Sequence, residues 1–227
     1  MQRTLTISLS SATVQALAAG NLALYGFAAV SYGPVLTAAV GYGGGYPLVW
    51  FRIPNCLPST VATLSDPAAA FISTTALTEN AVVTMSSSAP ADVGQTAQVA
   101  ATGLMTTVAS GQPGVISVVN EGSTPWTCGL AADAGSGPAP ICAFPLHGSS
   151  MDMIGPTAKV LVMFAVDKIP VGSAVSTAYA EGLFIDFQTQ AARAVSFDID
   201  QGWSWGGGTW ANVVPPQTDL GALLITP

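Results

Sequence analysis

Residues 181–210, EGLFIDFQTQAARAVSFDIDQGWSWGGGTW, constrain the fold more than any other stretch of the chain. Leu183, Ile185 and Phe187 fall on one parity and Phe184, Asp186 and Gln188 on the other, the period of two expected of a pleated strand with one buried face. Val195, Phe197 and Ile199 repeat the pattern against Ser196, Asp198 and Asp200. Gln201 and Gly202 follow, Gly supplying the positive φ that a tight hairpin needs, and Trp203 and Trp205 resume on a common face before three glycines. The pattern predicts a β-meander that ends in tryptophan, and it names no reaction.

Other segments read as strands and turns in the same way. Leu5, Ile7 and Leu9 alternate with Thr6, Ser8 and Ser10, giving a first strand. Ser10 or Ser11 then caps a short helix over residues 12–19, stopped by Gly20. Residues 21–30 return as an apolar strand in which Gly26 is placed at a bulge. A glycine run between Tyr42 and Tyr46 leads into a strand at 48–53, closed by Pro54. Two strands are expected within 71–84, a loop at 86–92, and strands at 97–108 and 115–119. Residues 121–155 show little periodicity and are expected to form one long loop, of the kind that is usually functional or disordered. A strong apolar strand follows at 159–166, and residues 220–225 make a last edge strand or docked arm. The expected architecture is all-β, an antiparallel β-sandwich with one short N-terminal helix and a single domain over residues 1–227.

Composition narrows the partners. Twelve acids against five bases give a net charge of −7, and Arg3, Arg52, Lys159, Lys168 and Arg193 do not cluster. Phosphate backbones would be repelled, so nucleic acid is not an expected partner. Charged residues are only 7 % of the chain, a surface composition that favours a homo-oligomer or an adhesive surface. No apolar run reaches the about 18 residues of a membrane helix. The start, MQRTLTISLS, lacks a continuous apolar core and a cleavage site, and Cys56, Cys128 and Cys142 are odd in number, so cytoplasmic localisation is expected. Cys128 and Cys142 are placed to pair across the segment between them, but buried free thiols are the favoured reading.

The opening TLTISLSSATVQALAAGNLALYGFAAV with PLVW, and the ending GLFIDF followed by AVSFDIDQGWSW, resemble small microbial and fungal proteins built as strand, short helix, strand and then a VVW strand. No activity is implied by that group. In size, low charge and lack of disulfides the chain is also similar to the pink chromoprotein of an oyster mushroom, a fruiting-body protein that holds an indolone pigment without catalysing a reaction. This likeness bears on the choice among binding proteins.

Catalytic machinery is poorly supplied. His147 is the only histidine, so a triad would have to use it, with Cys142 or Ser149 as the nearest nucleophile in sequence, and there is no GxSxG elbow. CxxC and HExxH spacings are absent, and neither YGGGY nor WGGGTW precedes a helix that would hold phosphate. Asp198 and Asp200 share a strand face, and Asp186 on the preceding strand is placed to lie opposite, three carboxylates suited to a divalent cation such as Ca²⁺ or Mg²⁺, or simply a solvated polar face. In GWSWGGGTW, Trp203 and Trp205 share a parity and Trp210 can fold back over the glycines, where aromatic faces stack on planar chromophores or sugars, or else plug the end of the sandwich.

The expected function is a non-enzymatic binding protein holding a small planar aromatic ligand or pigment noncovalently, lined by Trp203, Trp205, Trp210, Trp126, His147 and Trp50. The alternatives are a carbohydrate-binding or membrane-attacking defence protein, and a storage or inclusion protein.

Overall fold

The structure is a computed structural model and describes residues 1–34, 44–135 and 137–227. Tyr42 and Gly43, where the expected glycine run begins, lie outside the described residues.

The helix forms where its caps place it. α1 spans Ser11–Ala19, and Ser10, in extended conformation, accepts the Thr13 N–H at 3.0 Å. The Gly20 N–H returns to the Ala16 carbonyl, but the left-handed residue that ends the helix is Asn21 (φ 49°). Thr13 and Leu17 are the face it buries.

In chain order the strands are β1 (Gln2–Leu9), β2 (Leu22–Pro34), β3 (Tyr46–Pro47), β4 (Phe51–Ile53), β5 (Ser59–Ser65), β6 (Ala69–Ser73), β7 (Ser87–Pro90), β8 (Thr96–Val99), β9 (Met105–Val108), β10 (Ile116–Asn120), β11 (Trp126–Asp133), β12 (Pro138–Pro140), β13 (Cys142–Leu146), β14 (Met151–Val166), β15 (Gly182–Asp186), β16 (Ala192–Asp198), β17 (Gly202–Ser204), β18 (Ala211–Val214) and β19 (Ile225–Thr226), with α2 (Leu220–Leu224) before the last. The fold is all-β and sandwich-like. Among the described residues the strands form sheets of four (β17-β16-β1-β5), nine (β18-β15-β14-β10-β8-β9, with β2, β4 and β19 alongside) and six (β3-β13-β11-β6-β7, with β12 on β11). Most pairs are antiparallel, while β1/β16, β8/β10 and β2/β19 are parallel.

The spine is the β2–β14 ribbon, paired from Leu22↔Val166 to Pro34↔Asp152. Its register shifts between Pro156 and Val160, where Pro156 has no N–H to give the ladder, so the bulge is here and not at Gly26. Gly26 answers a different need: a Cβ there would lie 2.0 Å from Phe51 Cε1, so the missing side chain makes room for that ring. One cluster of buried apolar residues runs through all three sheets, from Leu5 and Ile7 through Val162 and Leu183 to Ile72, Cys128 and Phe144.

Further expectations are corrected: among the described residues, 71–84 hold the end of β6 and an isolated bridge at Val82 in place of two strands, and 97–108 turn back as the β8–β9 hairpin. The meander is broken, because both edges of β15 are taken by β14 and β18; the chain leaves after Phe187 and β16 joins the four-stranded sheet beside β1. The β16–β17 hairpin stands, turning through Gly202 at φ 77°. Residues 121–155 are mostly strand: β11 is buried at six successive positions, so its two covered faces erase the alternation that would have marked it. The expected loop at 86–92 contains β7, an edge strand on β6. The strand expected at 48–53 is confined to Phe51–Ile53, after an isolated bridge at Leu48. At the end of the chain Asp219 caps the single turn of α2 before β19 adds to β2.

Candidate functional site

The three tryptophans of residues 203–210 have separate fates. Trp203 is 6 % exposed and closes the end of the core, its ring 5.5 Å from Phe164 and 4.8 Å from Phe197. Trp205 and Trp210 are half-buried and come together around one glycine. The Trp205 indole N–H donates to the Gly208 carbonyl at 2.7 Å, and a Cβ on Gly208 would lie 2.3 Å from Trp210 Nε1, so the second ring rests against the same residue. Between them Gly206 and Gly207 hold φ of 76° and 79°, a conformation side-chain-bearing residues rarely adopt, and the space around both is open. The result is an exposed glycine crest flanked by two indole rings.

Arg193 anchors this loop to the ends of β15 and β16. It lies on the inward parity of β16 with Val195, 7 % exposed, and its guanidinium sits 4.4 Å from the Trp210 ring centre. Its N–H groups donate to the Asp186 carbonyl (3.1 Å), Gln190 Oε1 (2.7 Å) and Thr189 Oγ1 (2.8 Å). The Asp186 N–H in turn donates to the Trp210 carbonyl at 2.7 Å. Ring, guanidinium and backbone therefore form one closed set, which holds the loop in place.

The remaining expected residues lie elsewhere. Trp50 is buried, donates to the Ala132 carbonyl at 3.0 Å and meets Phe51 edge-on. Trp126 lies on β11 in the six-stranded sheet, over Gly103, and its indole N–H is buried without a partner among the described residues. His147 is exposed on the turn after β13, where its carbonyl accepts from Asn120 and Ser150. The six residues expected to line one wall are thus split, with Trp205 and Trp210 together and the others built into separate parts of the fold.

The three carboxylates are not gathered. Asp186 is on the nine-stranded sheet and Asp198 on the four-stranded one, so they do not oppose each other. Asp198 is already occupied, accepting from Thr13 Oγ1 and from the N–H groups of Asp200 and Gln201, while Asp186 accepts from Gln188 N–H. Among the described residues no three His, Cys, Asp or Glu side chains are grouped to hold a metal ion.

One cluster was invisible in the sequence. Asp152 of β14 is 5 % exposed and accepts from Tyr32 Oη at 2.9 Å and from Cys128 Sγ at 3.4 Å, while Tyr32 stacks on Phe144 with ring centres 4.0 Å apart. It links the nine-stranded sheet, which supplies Asp152 and Tyr32, to the six-stranded sheet, which supplies Cys128. Burial raises the pKa of Asp152, opposed by the bonds from Tyr32 and Cys128 and by nearby His147. Burial also raises the tyrosine and the Cys128 thiol, with the Asp152 charge adding to both. Tyr32 is 120 residues from Asp152, and Cys128 is 24 residues from it on a strand of another sheet, so no shared spacing revealed them. Cys128, Cys142 and half-buried Cys56 are free thiols.

Compared with family models, curated proteins and solved structures, the chain finds no match. Among the described residues no helix is long and apolar enough to cross a membrane.

Proposed function

We propose that this chain is a non-enzymatic binding protein that holds a flat-faced small molecule noncovalently on the Trp205–Trp210 platform. The observation that carries the reading is the pair of half-exposed indoles held against Gly208, with Arg193 locking Trp210 in place. Indole faces stack on planar aromatic compounds, and a rigid ring loses little freedom on binding. A planar pigment is the ligand class of first choice. Such a compound absorbs where the protein does not, so the protein purified from its natural source is expected to show absorbance beyond the tryptophan band and to release an aromatic compound on extraction. A colourless preparation with nothing to extract refutes the pigment.

A sugar is the second reading, favoured by the openness of the crest. Gly206 and Gly207 are exposed and leave backbone polar groups beside the rings, the mixed apolar and hydrogen-bonding surface a pyranose ring fits. A glycan array separates the two: binding abolished by W205A and by W210A supports the sugar, and silence in the array leaves the pigment. Liposome leakage tests the membrane-attacking version of the same surface.

A further inference from the structure

The four-stranded sheet ends in β5, which among the described residues pairs only with β1. β5 is seven residues long, whereas every other strand at the end of a sheet or branch among the described residues has four or fewer. Proteins normally blunt such an edge with charge, proline, a bulge or a covering segment. β5, STVATLS, has no charge and no proline, and its register with β1 is unbroken from Gln2↔Ser65 to Ser8↔Ser59.

The hydrogen-bond parity is fixed by its ends. Leu9 N–H donates to the Pro58 carbonyl and Asp66 N–H to the Met1 carbonyl, so even-numbered residues of the strand face β1. Ser59, Val61 and Thr63 therefore turn their N–H and C=O groups to the free edge. On the solvent face Val61 is 51 % exposed, and Leu57 just before the strand is 63 % exposed.

We infer that β5 is the contact through which two copies of this chain associate, antiparallel across a two-fold axis at Val61. In that register Val61 faces Val61 of the partner subunit and Ser59 faces Thr63, so each side offers the complementary donor and acceptor. The two apolar valines meet on one face as a cross-strand pair. Charge selects a second copy at this place. The chain carries −7, yet its first 65 residues contain no acid, and Asp66 at the strand end is neutralised by Arg3 and the N-terminal amine. Neither β5 nor its neighbour β1 carries an acid, so two like-charged molecules pair here with no carboxylate on the joining strands. The contact is independent of the tryptophan platform.

Sedimentation velocity and hydrogen exchange of the full chain test this across a wide concentration range. The wild type is expected to double in mass on concentration, with the Val61 and Thr63 amides becoming protected in step. V61K changes an exposed position and is expected to stay monomeric with an unchanged near-ultraviolet spectrum. A wild type that remains monomeric at the highest concentration, a dimer whose Val61 and Thr63 amides exchange as fast as in dilute solution, or a V61K variant that dimerises like the wild type would each overturn the inference.

Discussion

The Arg193 guanidinium lies 4.4 Å from the centre of the Trp210 ring, in a side chain only 7 % exposed. Among the described residues no carboxylate forms an ion pair with it; three neutral oxygens and an aromatic face replace its water. Hydrogen bonds from a charged donor are worth about 1.5–3 kcal/mol each when cleanly removed, and desolvated cation–π contacts about 2 kcal/mol. Replacement also relieves the cost of burying the charge, so R193A is expected to lose about 2–3 kcal/mol in urea unfolding. R193K should lose nearly as much, because an ammonium cannot reproduce a fork aimed at three acceptors. Full stability of R193K would show that the fork is unimportant.

Trp203 and Trp205 differ by two positions and by role. Removing a buried aromatic ring costs about 3–5 kcal/mol, and Trp203 touches Phe164 and Phe197 in the core. W203A is expected in that range. Trp205 is half-exposed and its one indole bond is to a loop carbonyl, so W205A is expected to cost under about 2 kcal/mol, close to one hydrogen bond plus partial burial. Equal losses in chemical denaturation would contradict the division between core ring and platform ring.

The alternation of residues 181–205 made the strands and the inward face legible, because one side of each strand is dry and the other wet. Pairing was not legible. Leu183 and Val195 belong to similar patterns, yet one strand sits between β14 and β18 and the other beside β1, and nothing local to either distinguishes those neighbours. Ser10, Gly20 and the apolar positions between them gave α1 to within a residue, since capping is a local interaction. β11 was missed for the opposite reason: a strand of mostly small residues that is buried on both faces has no period to detect. The platform was partly legible, in that the two rings and the glycines are contiguous, whereas Arg193 is brought to Trp210 by a chain crossing between sheets.

Gly129 marks the closest approach within the six-stranded sheet. A Cβ there would lie 2.0 Å from the Cys142 backbone carbonyl and 2.8 Å from the Phe71 ring, and a backbone oxygen held between paired strands cannot swing aside. G129A is expected to destabilise by about 3 kcal/mol or more, at or above the usual range for overpacking. Thermal unfolding measures it, and a wild-type melting temperature would mean that the β11–β13 pairing relaxes freely.

The three thiols should separate by reactivity. Burial pushes the Cys142 thiol up to about 12 and also raises Cys128 well above its ordinary value, so neither supplies thiolate in the folded protein. Cys56 is also raised by burial, but it is half-exposed and accessible. A disulfide reagent at mildly alkaline pH is expected to modify at most Cys56 in the native protein, slowly, and all three after denaturation. Rapid native labelling of Cys128 or Cys142 would place the sheet interface open to solvent.

Asp152 gives the stability profile a component of unusual sign. Its pKa is raised in the folded protein, chiefly by burial, so between the ordinary aspartate range and that raised value the native state binds more protons than the unfolded chain. Stability from this group is fully present below the ordinary value and is lost as pH rises through the folded one. Asp66 and Asp167 act oppositely: the former is held low by the N-terminal amine and Arg3 against its own burial, the latter chiefly by its bond from Arg52, and both weaken the fold as pH falls. Tyr32 and Cys128 bond to Asp152 and His147 acts on it through its charge, so the comparison is best made in an H147A background. There, D152N keeps a polar side chain between Tyr32 and Cys128 but cannot ionise. The difference in unfolding free energy between D152N and its Asp152 parent should shift in favour of D152N as pH rises above the ordinary aspartate range, then level off. A difference that stays constant across this range, or moves toward the parent, would show that Asp152 ionises in the folded protein as readily as in the unfolded chain.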